Sequence, residues 1–422
     1  MKSYLILLLF LLSPFIILGQ DNRSVSLFDC LKKAREYHPY YLDKQRLEDS
    51  RNLRNKNVST MWLPQLNLNG QATYQSDAIK IDIPFPGMNI KGSPQDQYKV
   101  TLDVNQVIYD GGSARAQRKI TNATIDADLQ QNESDVYKSN EPVTSVYFNL
   151  LIMQKNKEVY ESTFEDLKSK EGKITSGVKN GILLQSDLDN LKVELIKTKQ
   201  FLDDIEIAIK NGFDILRMLT GDSLINSSRL LVPEVNFQLN DSINRPEIKI
   251  FDLQQKTLEE SKYLSVSQKM PKLYAFTQLG YGRPGLNMLK DEFQSYYIVG
   301  LKFQWNIWDW NKTQRDKSIY SLQQDMVSSK KDAYVRNINI NGTNELTRIQ
   351  QLENTLKTDE EIVTLRKSIT IQTEKRLDQG IVTMSDYLSE YNSEVKAGIQ
   401  FETHKIQLLQ SKINYLIIKG IL

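Results

Sequence analysis

One unit of sequence occurs twice in this chain, and this duplication limits the possible folds more than any other feature. His38-Pro39 opens a polar, helix-like stretch that ends at Leu63-Pro64-Gln65-Leu66. Arg245-Pro246 opens a second such stretch, which ends at Met270-Pro271-Lys272-Leu273. Pro64 and Pro271 are 207 positions apart, as are Pro39 and Pro246. A fixed period of this length indicates two copies of one structural unit.

The second half of each copy repeats at a slightly shorter interval. Ile108-Tyr109-Asp110 matches Ile307-Trp308-Asp309 at an offset of 199, and two glycine-containing links match at the same offset. The links are Gly181-Ile182 with Ser186-Asp187-Leu188, and Gly380-Ile381 with Ser385-Asp386 and Leu388. The difference of 8 between the offsets falls within a segment that tolerates length changes, as surface loops do.

Each copy changes from a helical pattern to strict alternation after its Leu-Pro or Met-Pro step. Apolar residues then alternate with polar ones, which predicts strands that have one apolar and one polar face. Partner strands begin at Leu66 and Leu273, so each copy contains a β-hairpin. The alternating apolar positions are Tyr98, Val100, Leu102 and Val104 in the first copy, and Val299, Leu301, Phe303, Trp305 and Ile307 in the second.

Long helical segments follow both hairpins. Residues 113–171 contain good helix formers, and Pro142 should kink this helix. A second helix follows, with leucine and isoleucine at spacings of 3, 4 and 7, which is a coiled-coil seam. The seam residues are Leu188, Leu191, Leu195, Leu202, Ile205, Ile209, Leu216 and Leu219, and the second copy has Ile349, Leu352, Leu356 and Val363. We expect long antiparallel helix pairs.

The first 19 residues are typical of a cleavable secretory signal, with an apolar run from Leu5 to Leu18 that ends at a small residue, Gly19. The run is too short for a membrane-spanning helix, which needs about 20 apolar residues. The alternative, an uncleaved anchor, is therefore disfavoured. Cys30 is the only cysteine, so it cannot form an internal disulfide.

The predicted strands are long enough to cross a bilayer, but four of them cannot close a barrel. Eight strands leave an interior that side chains fill, so two copies would form a plug. Three copies, with 12 strands, are the smallest set that encloses water. The polar faces would then line the lumen and the apolar faces would contact lipid. The lumen candidates are Asp103, Asn105, Lys302 and Gln304.

Tryptophan placement agrees with this arrangement. Trp62 precedes Pro64, and Trp305, Trp308 and Trp310 lie where the last strand ends. Trp is enriched at membrane–water interfaces, so we expect these four side chains at the interface. The alternative is a tryptophan cluster in a soluble core.

The motifs resemble those of the TolC-like outer membrane efflux family. The similar residues are Leu-Pro-Gln-Leu at 63–66, Tyr-Asp-Gly-Gly at 109–112, Arg-Pro-Glu-Ile at 245–248 and the two Gly-x(4)-Ser-Asp-x-Leu links. The resemblance implies an α+β membrane protein: a homotrimer with a 12-stranded outer-membrane barrel, continued by a periplasmic barrel of long helices. It also implies an exit duct served by a periplasmic adaptor (membrane fusion) protein and an inner-membrane transporter.

In that family acidic side chains at the helix-hairpin tips ring the periplasmic entrance. The resemblance assigns Asp386 to such a ring, with Asp187 as its counterpart in the first copy. The next family acid falls on Ser389, with Glu390 beside it, and other gate positions fall on Leu377 and Val382. The simpler interpretation of Asp187 and Asp386 is helix N-capping, which Ser and Asp favour. Both roles stay open at this point.

Together with the resemblance, which alone implies the equatorial linker, these features predict a linear organisation. Residues 1–19 form the signal peptide, 20–63 the N-terminal segment and first periplasmic helix, 64–110 the first membrane hairpin and 111–220 the long helices of the first copy. Residues 221–245 form an equatorial linker, 246–270 a helix, 271–309 the second membrane hairpin, and 310–422 the remaining long helices with the C-terminus.

Other classes of function have little support. Lys plus Arg (54) nearly balance Asp plus Glu (52), so there is no basic field for nucleic acid. Two histidines and one cysteine do not form a convincing metal site, and no nucleophile–base pattern indicates an enzyme or a cofactor. The main competing hypothesis is a soluble periplasmic coiled-coil adaptor, which would share the signal and the heptads.

Overall fold

The computed structural model describes residues 24–79, 93–223, 229–235, 237–239 and 242–422. The predicted signal peptide and most of the first hairpin loop lie outside the described residues. The chain forms two compact units, each made from separate segments. The strand unit comprises Leu42–Ser134 and Arg245–Asn337, and the helical unit comprises the described parts of residues 1–41, 135–244 and 338–422.

Six strands and eight α-helices, with 3-10 turns at Pro39–Leu42 and Thr60–Trp62, make up the described residues. In chain order they are β1 Ser24–Val25, α1 Leu27–Tyr37, α2 Asp43–Ser59, β2 Gln65–Tyr74, β3 Asp96–Tyr109, α3 Ser113–Tyr137, α4 Asn140–Lys179, α5 Gln185–Thr220, β4 Arg229–Leu230, α6 Pro246–Lys269, β5 Lys272–Arg283, β6 Gln294–Gln304, α7 Lys312–Asp378 and α8 Met384–Lys419.

The helix boundaries follow local sequence. Pro246 occupies the first turn of α6, where its missing N–H has no helical partner to lose. Pro142 lies in the first turn of α4, and the predicted kink is an interruption between α3 and α4 at residues 138–139. The second copy has no proline there, and α7 runs unbroken for 67 residues. The two copies therefore differ in the continuity of their longest helix.

The two predicted hairpins join into one antiparallel sheet with the order β2-β3-β5-β6. The central pair, β3 and β5, links the first copy to the second, with Asp103 opposite Gln278 and Leu102 opposite Leu279. Because directly opposite residues share a face, the register separates polar from apolar side chains across all four strands. β2 and β6 are the edges, and within the described residues each pairs with one strand only.

One face of this sheet is apolar and exposed. Leu68 on β2 and Leu301 on β6 are 74% and 69% exposed. Among the described strand residues, the only charged ones on this face are Asp96 and Arg283, which lie at the loop end of the sheet and form an ion pair of 3.0 Å. A soluble sheet would cover such a face with other elements.

The last strand is shorter than the alternation suggested. The pattern predicts β6 to Ile307, but β6 ends at Gln304, opposite Lys272, which is the first residue of β5. The prediction was wrong for Trp305–Ile307 because these residues have no strand beside them in the described chain. Their alternating pattern is nevertheless present in the sequence.

Both copies make the same turn after the hairpin, with different residues. Asp110 accepts hydrogen bonds from the backbone N–H groups of Gly112 (2.8 Å) and Ala114 (2.6 Å). Asp309 accepts one from the Thr313 N–H at 3.0 Å. Gly111 and Gly112 have φ of 70° and 89°, whereas Trp310 and Asn311 adopt 53° and 61°. A tryptophan in this left-handed region carries a steric cost.

The helical unit contains the principal core. Leu27, Tyr147, Phe148, Leu216 and Ile413 are among the buried residues that pack α1, α4, α5 and α8 together. β1 and β4 form a short parallel pair, and the Tyr147 hydroxyl lies 2.8 Å from the Val25 carbonyl and 2.6 Å from the Leu231 carbonyl.

The predicted coiled-coil seam is confirmed in α5. Leu188, Leu191, Leu195, Leu202 and Leu216 are buried, and the remaining seam residues are half-buried. In α7, Ile349 and Leu352 are buried, and Leu356 and Val363 are half-buried. The spacing therefore identified the helix faces that the chain covers.

Replacing Trp310 with Gly should strengthen the first turn of α7, because glycine adopts φ of 53° without steric cost. The expected gain is about 1 kcal/mol. Hydrogen exchange of the amides in the first turn of α7 should be slower in the purified variant. Gly111→Ala is the matched opposite: its φ is 70° and its Cβ would lie 2.6 Å from Met270 Cβ, so amides at the start of α3 should exchange faster. Unchanged or faster exchange in Trp310→Gly would contradict the steric argument.

Candidate functional site

The polar face of the sheet is built around Asp103. Its carboxylate accepts hydrogen bonds from Asn69 Nδ2 (2.5 Å), Gln278 Nε2 (2.6 Å) and Thr101 Oγ1 (3.2 Å). These partners come from β2, β5 and β3, so one carboxylate connects three strands. All three hydrogen-bond donors are neutral groups, and together they order this part of the face.

The four predicted lumen residues share this face. Asn105 is opposite Phe276, which is opposite Gly300 on β6. Lys302 and Gln304 occupy the next positions of the same parity on β6, opposite Tyr274 and Lys272. The alternation in the sequence therefore placed all four side chains on one side. Charged side chains on this face of the described strands are Lys99, Asp103, Lys272 and Lys302.

Two aromatic rings lie flat over glycines on this face. A Cβ at Gly280 would be 2.1 Å from Tyr296 Cζ, and a Cβ at Gly300 would be 2.8 Å from Phe276 Cε1. In both cases the ring and the glycine are directly opposite on β5 and β6. Glycine thus lets a large ring lie along the sheet rather than stand upright from it.

The predicted interface tryptophans are all exposed. Trp305, Trp308 and Trp310 are 51%, 70% and 76% exposed, and Trp62 is 42% exposed. The Trp308 and Trp310 rings meet edge to face with centroids 5.8 Å apart. The alternative, a tryptophan cluster in a soluble core, does not fit this exposure.

The two helix-hairpin tips have the same backbone geometry. Gly181 and Gly380 adopt φ of 73° and 68°, and each follows the end of a long helix. The next residue in each link donates its N–H back to the helix, Ile182 to the Gly177 carbonyl and Ile381 to the Arg376 carbonyl, at 2.9 Å in both cases. Glycine is the residue that accepts this left-handed helix ending.

Asp187 connects the two tips. Its Oδ2 accepts from the Leu184 N–H at 3.0 Å, and its Oδ1 accepts from the Met384 N–H at 3.1 Å. Asp187 therefore caps both its own helix, α5, and the first residue of α8. The side chain is only 6% exposed, so the capping interpretation fits this residue.

Asp386 caps only its own helix. Its Oδ2 accepts from the Thr383 hydroxyl (2.7 Å) and the Thr383 N–H (2.9 Å), and the Thr383 hydroxyl accepts from the Asp386 N–H. These hydrogen bonds, the hydroxyl bond first, lower the pKa of the Asp386 carboxyl. Unlike Asp187, Asp386 is exposed, so it can cap the helix and present a charge to solvent.

The remaining entrance candidates differ in their exposure to solvent and in their partners. Ser389 is exposed, whereas Glu390 is half-buried and pairs with Arg366 Nη1 at 2.9 Å. Leu377, which the resemblance assigns to a gate position, is buried in the apolar tip cluster, and Val382 packs against that cluster. Buried members of the cluster include Leu167, Leu191, Met384 and Tyr387.

Ion pairs between α4 and α7 at the tip were not foreseen. Lys170 pairs with Glu374, and Lys173 Nζ lies 2.6 Å from Asp378 Oδ1. The Tyr391 hydroxyl also donates to Asp166 Oδ2 at 3.2 Å. These residues are some 200 positions apart or more, and no local pattern marks them as partners.

Metal sites and membrane-spanning helices are both absent from the part of the chain that the structure describes. It contains no group of three or more His, Cys, Asp or Glu side chains that could hold a metal ion. None of its helices is both long and apolar enough to cross a membrane.

Comparison with known proteins connects this geometry to a family. Residues 48–198 match the family described as outer membrane efflux protein. The match includes the first hairpin, the interrupted helix α3–α4 and the first tip. No curated protein sequence matches the chain significantly.

Solved structures share the fold across nearly the whole chain. The outer membrane channel CmeC of Campylobacter jejuni is 15% identical, with a TM-score of 0.66 over 93% of this chain and 85% of that one. VceC of Vibrio cholerae is 13% identical, with 0.67 over 93% and 96%. The MtrE channel of Neisseria gonorrhoeae is 13% identical, with 0.67 over 94% and 89%. At these identities the likeness concerns the fold.

Replacing Asp187 with Ala should loosen both tips, because the Leu184 and Met384 amides lose their acceptor. The expected local cost is about 1–2 kcal/mol. Hydrogen exchange at the Met384 amide should accelerate about tenfold, since 1.4 kcal/mol corresponds to a factor of ten. Asp189→Ala is the control, because Asp189 is exposed and bonds only the nearby Gln185 side chain among the described contacts. Equal exchange at Met384 in both variants would show that the cross-tip bond does not hold the tips.

Proposed function

We propose that this chain is one of three identical subunits of an outer-membrane exit channel; the match of residues 48–198 to the outer membrane efflux family and the fold shared with outer membrane channels support this. The channel conducts substrates passively from an inner-membrane transporter across the periplasm and the outer membrane. A periplasmic adaptor protein connects it to that transporter. The similar structures of CmeC and MtrE are outer membrane channels, and the proposed role requires no catalytic step or cofactor.

The exposed apolar face of the four-stranded sheet carries this proposal. Strands of 10 to 14 residues are long enough to cross a bilayer. In lipid, however, every backbone N–H and C=O needs a partner, so only a closed sheet is stable there. Three copies supply 12 strands. Asp103, Asn105, Lys302 and Gln304 then line the lumen, and the apolar faces contact outer-membrane lipid.

The exposed tryptophans suit the boundary of such a barrel. Trp305, Trp308 and Trp310 lie between β6 and α7, and Trp62 lies just before β2, so all four lie where a helix and a strand meet. Trp residues favour the membrane–water interface because the ring is apolar and its N–H is polar. We assign them to the periplasmic interface.

The helix tips supply the proposed entrance. Among the acidic candidates, Asp386 is exposed and outside any ion pair that the described contacts include, whereas Glu390 is paired with Arg366. Three Asp386 carboxylates around a narrow mouth would attract cations. Asp187, which bonds both tips internally, contributes to the structure of the entrance rather than to its charge.

Fractionation and cross-linking test the proposal. Membranes washed with high salt should retain the protein, and detergent should release it, because lipid covers the apolar sheet face. Amine cross-linking of intact membranes followed by denaturing electrophoresis should show a trimer. Release by salt with a monomeric product would contradict the channel and favour the competing hypothesis, a soluble coiled-coil adaptor.

Replacing Asp386 with Asn should reduce the cation preference of the channel, because it removes charge from the mouth while keeping a polar capping side chain. Reversal potentials across planar bilayers under a KCl gradient measure this preference. The hydrogen bonds that lower the pKa of the Asp386 carboxyl keep it charged to lower pH than an ordinary aspartate, so its contribution should persist into acidic solution and disappear only as the pH falls through that lowered pKa. The Asn variant should lack this pH dependence.

Two further variants control this measurement. Ser389→Ala changes an exposed neutral residue of the same tip and should leave the reversal potential unchanged. Lys302→Gln removes a positive charge from the proposed lumen and should raise the cation preference, the opposite of Asp386→Asn. If Asp386→Asn behaves like Ser389→Ala, Asp386 is only a capping residue.

A further inference from the structure

Within the described residues both edges of the four-stranded sheet are open, and the sequence repeat indicates what should cover them. β2 and β6 each have one neighbour in the described chain, so each presents a row of unpaired backbone groups. Lipid cannot satisfy those groups. In the proposed trimer the edge of one protomer must therefore meet the complementary edge of the next.

The chain already contains one junction of the required kind. β3 ends the first hairpin and β5 begins the second, and these two strands pair antiparallel. By the repeat, β6 is the counterpart of β3 at an offset of 199, and β2 is the counterpart of β5 at an offset of 207. The contact between β6 and a neighbour's β2 is thus the repeat-related equivalent of a contact that the structure shows.

We propose that β6 of one protomer pairs with β2 of the next in the register of β3 with β5. This inference rests on the proposed trimeric channel. The observed pair Val104–Thr277 then becomes Phe303 opposite the partner's Gly70, and Leu102–Leu279 becomes Leu301 opposite the partner's Ala72. Likewise Asp103–Gln278 becomes Lys302 opposite the partner's Gln71.

The register keeps the two faces of the sheet continuous across the junction. Lys302 and Gln71 both belong to polar faces, whereas Leu301 and Ala72 both belong to apolar faces. A shift by one residue would place Leu301 on the side of the lumen and Lys302 in lipid. The repeat offsets were obtained from other residues, so this agreement of faces is an independent check.

The register also completes a packing pattern that the sheet uses twice. Phe276 covers the opposite Gly300, and Tyr296 covers the opposite Gly280. Gly70 is the one glycine of the described paired strands at which an added Cβ would meet nothing within 4 Å, and Phe303 is 64% exposed. The proposed register puts this uncovered glycine directly opposite this exposed ring.

The same pairing accounts for the early end of β6. Within the chain, β6 stops at Gln304 because β5 begins at Lys272. The equivalents of Val107–Tyr274 and Tyr109–Leu273 are Asn306 opposite the partner's Asn67 and Trp308 opposite the partner's Leu66. A neighbouring β2 would therefore extend β6 through the alternating residues. The equivalence between the two contacts ends at the next turn, because the second copy has Trp310 at the position of Gly111. The larger Trp310 side chain requires looser packing at this turn.

A cysteine scan tests the register. Cys30 is the only native cysteine, so Cys30→Ser gives a background without thiols. Gly70→Cys is combined in turn with Leu301→Cys, Phe303→Cys and Trp305→Cys, three neighbours on the apolar face. Directly opposite residues have Cα atoms about 4.5–5.5 Å apart, within the range for a disulfide, whereas diagonal neighbours are near its limit. Ala72→Cys with Leu301→Cys is a second in-register pair.

Oxidation in membranes followed by non-reducing electrophoresis should give a covalent trimer. Among the three combinations with Gly70→Cys, the one with Phe303→Cys should give a yield severalfold higher than the other two. The Ala72→Cys with Leu301→Cys pair should match it, and single-cysteine variants should stay uncoupled. A maximum at Leu301→Cys or Trp305→Cys would overturn the register while the trimer stands. Absence of disulfides in a protein that amines still cross-link as a trimer would overturn the edge pairing. Failure of both reactions would overturn the proposed channel itself.

Discussion

The hydrogen bonding of strand edges is the constraint on which the rest of this structure depends. A four-stranded sheet has two edges, and their N–H and C=O groups need partners wherever water is absent. One face of this sheet is apolar and exposed, which suits it to the lipid of the proposed channel, and the charged residues of this face form an ion pair at the loop end. A sheet of this composition is thus incomplete as a single chain. The proposed trimer resolves both problems, since it pairs the edges and surrounds the apolar face with lipid.

Because the chain is internally duplicated, one type of strand contact can serve both within a subunit and between subunits of such an assembly. One helix–hairpin–helix unit occurs twice, and in the proposed trimer the contact between its two copies, β3 with β5, is repeated between subunits. The copies are unequal where their roles differ. Gly111 is crowded by Met270, whereas Trp310 has a similar backbone conformation and remains 76% exposed. The second copy therefore has a tryptophan in a sterically unfavourable backbone conformation, and its ring lies at the proposed membrane interface.

The two helix tips also differ: one aspartate holds the structure together, and its counterpart is exposed to solvent. Asp187 is buried and bonds the backbone of both tips, while its counterpart Asp386 caps one helix and remains exposed. Both carboxylates accept from the N–H group of the residue before their own helix, and Thr383 adds a hydroxyl that Leu184 lacks; only Asp187 also reaches the other tip, at the Met384 N–H. A single pattern, Gly-x(4)-Ser-Asp, thus produces one internal connection and one solvent-facing carboxylate.

The sequence alone determined the features that depend on local periodicity. Alternation by two placed Asp103, Asn105, Lys302 and Gln304 on one face, and spacings of 3 and 4 identified the buried side of α5, because side-chain direction follows directly from backbone geometry. Only the tertiary structure decided which distant elements meet. It joined the hairpins through β3 and β5, ended β6 at Gln304, gave Asp187 a partner at Met384 and paired Glu390 with Arg366. Such contacts join elements that are distant along the chain or meet across a turn, and no local pattern encodes them.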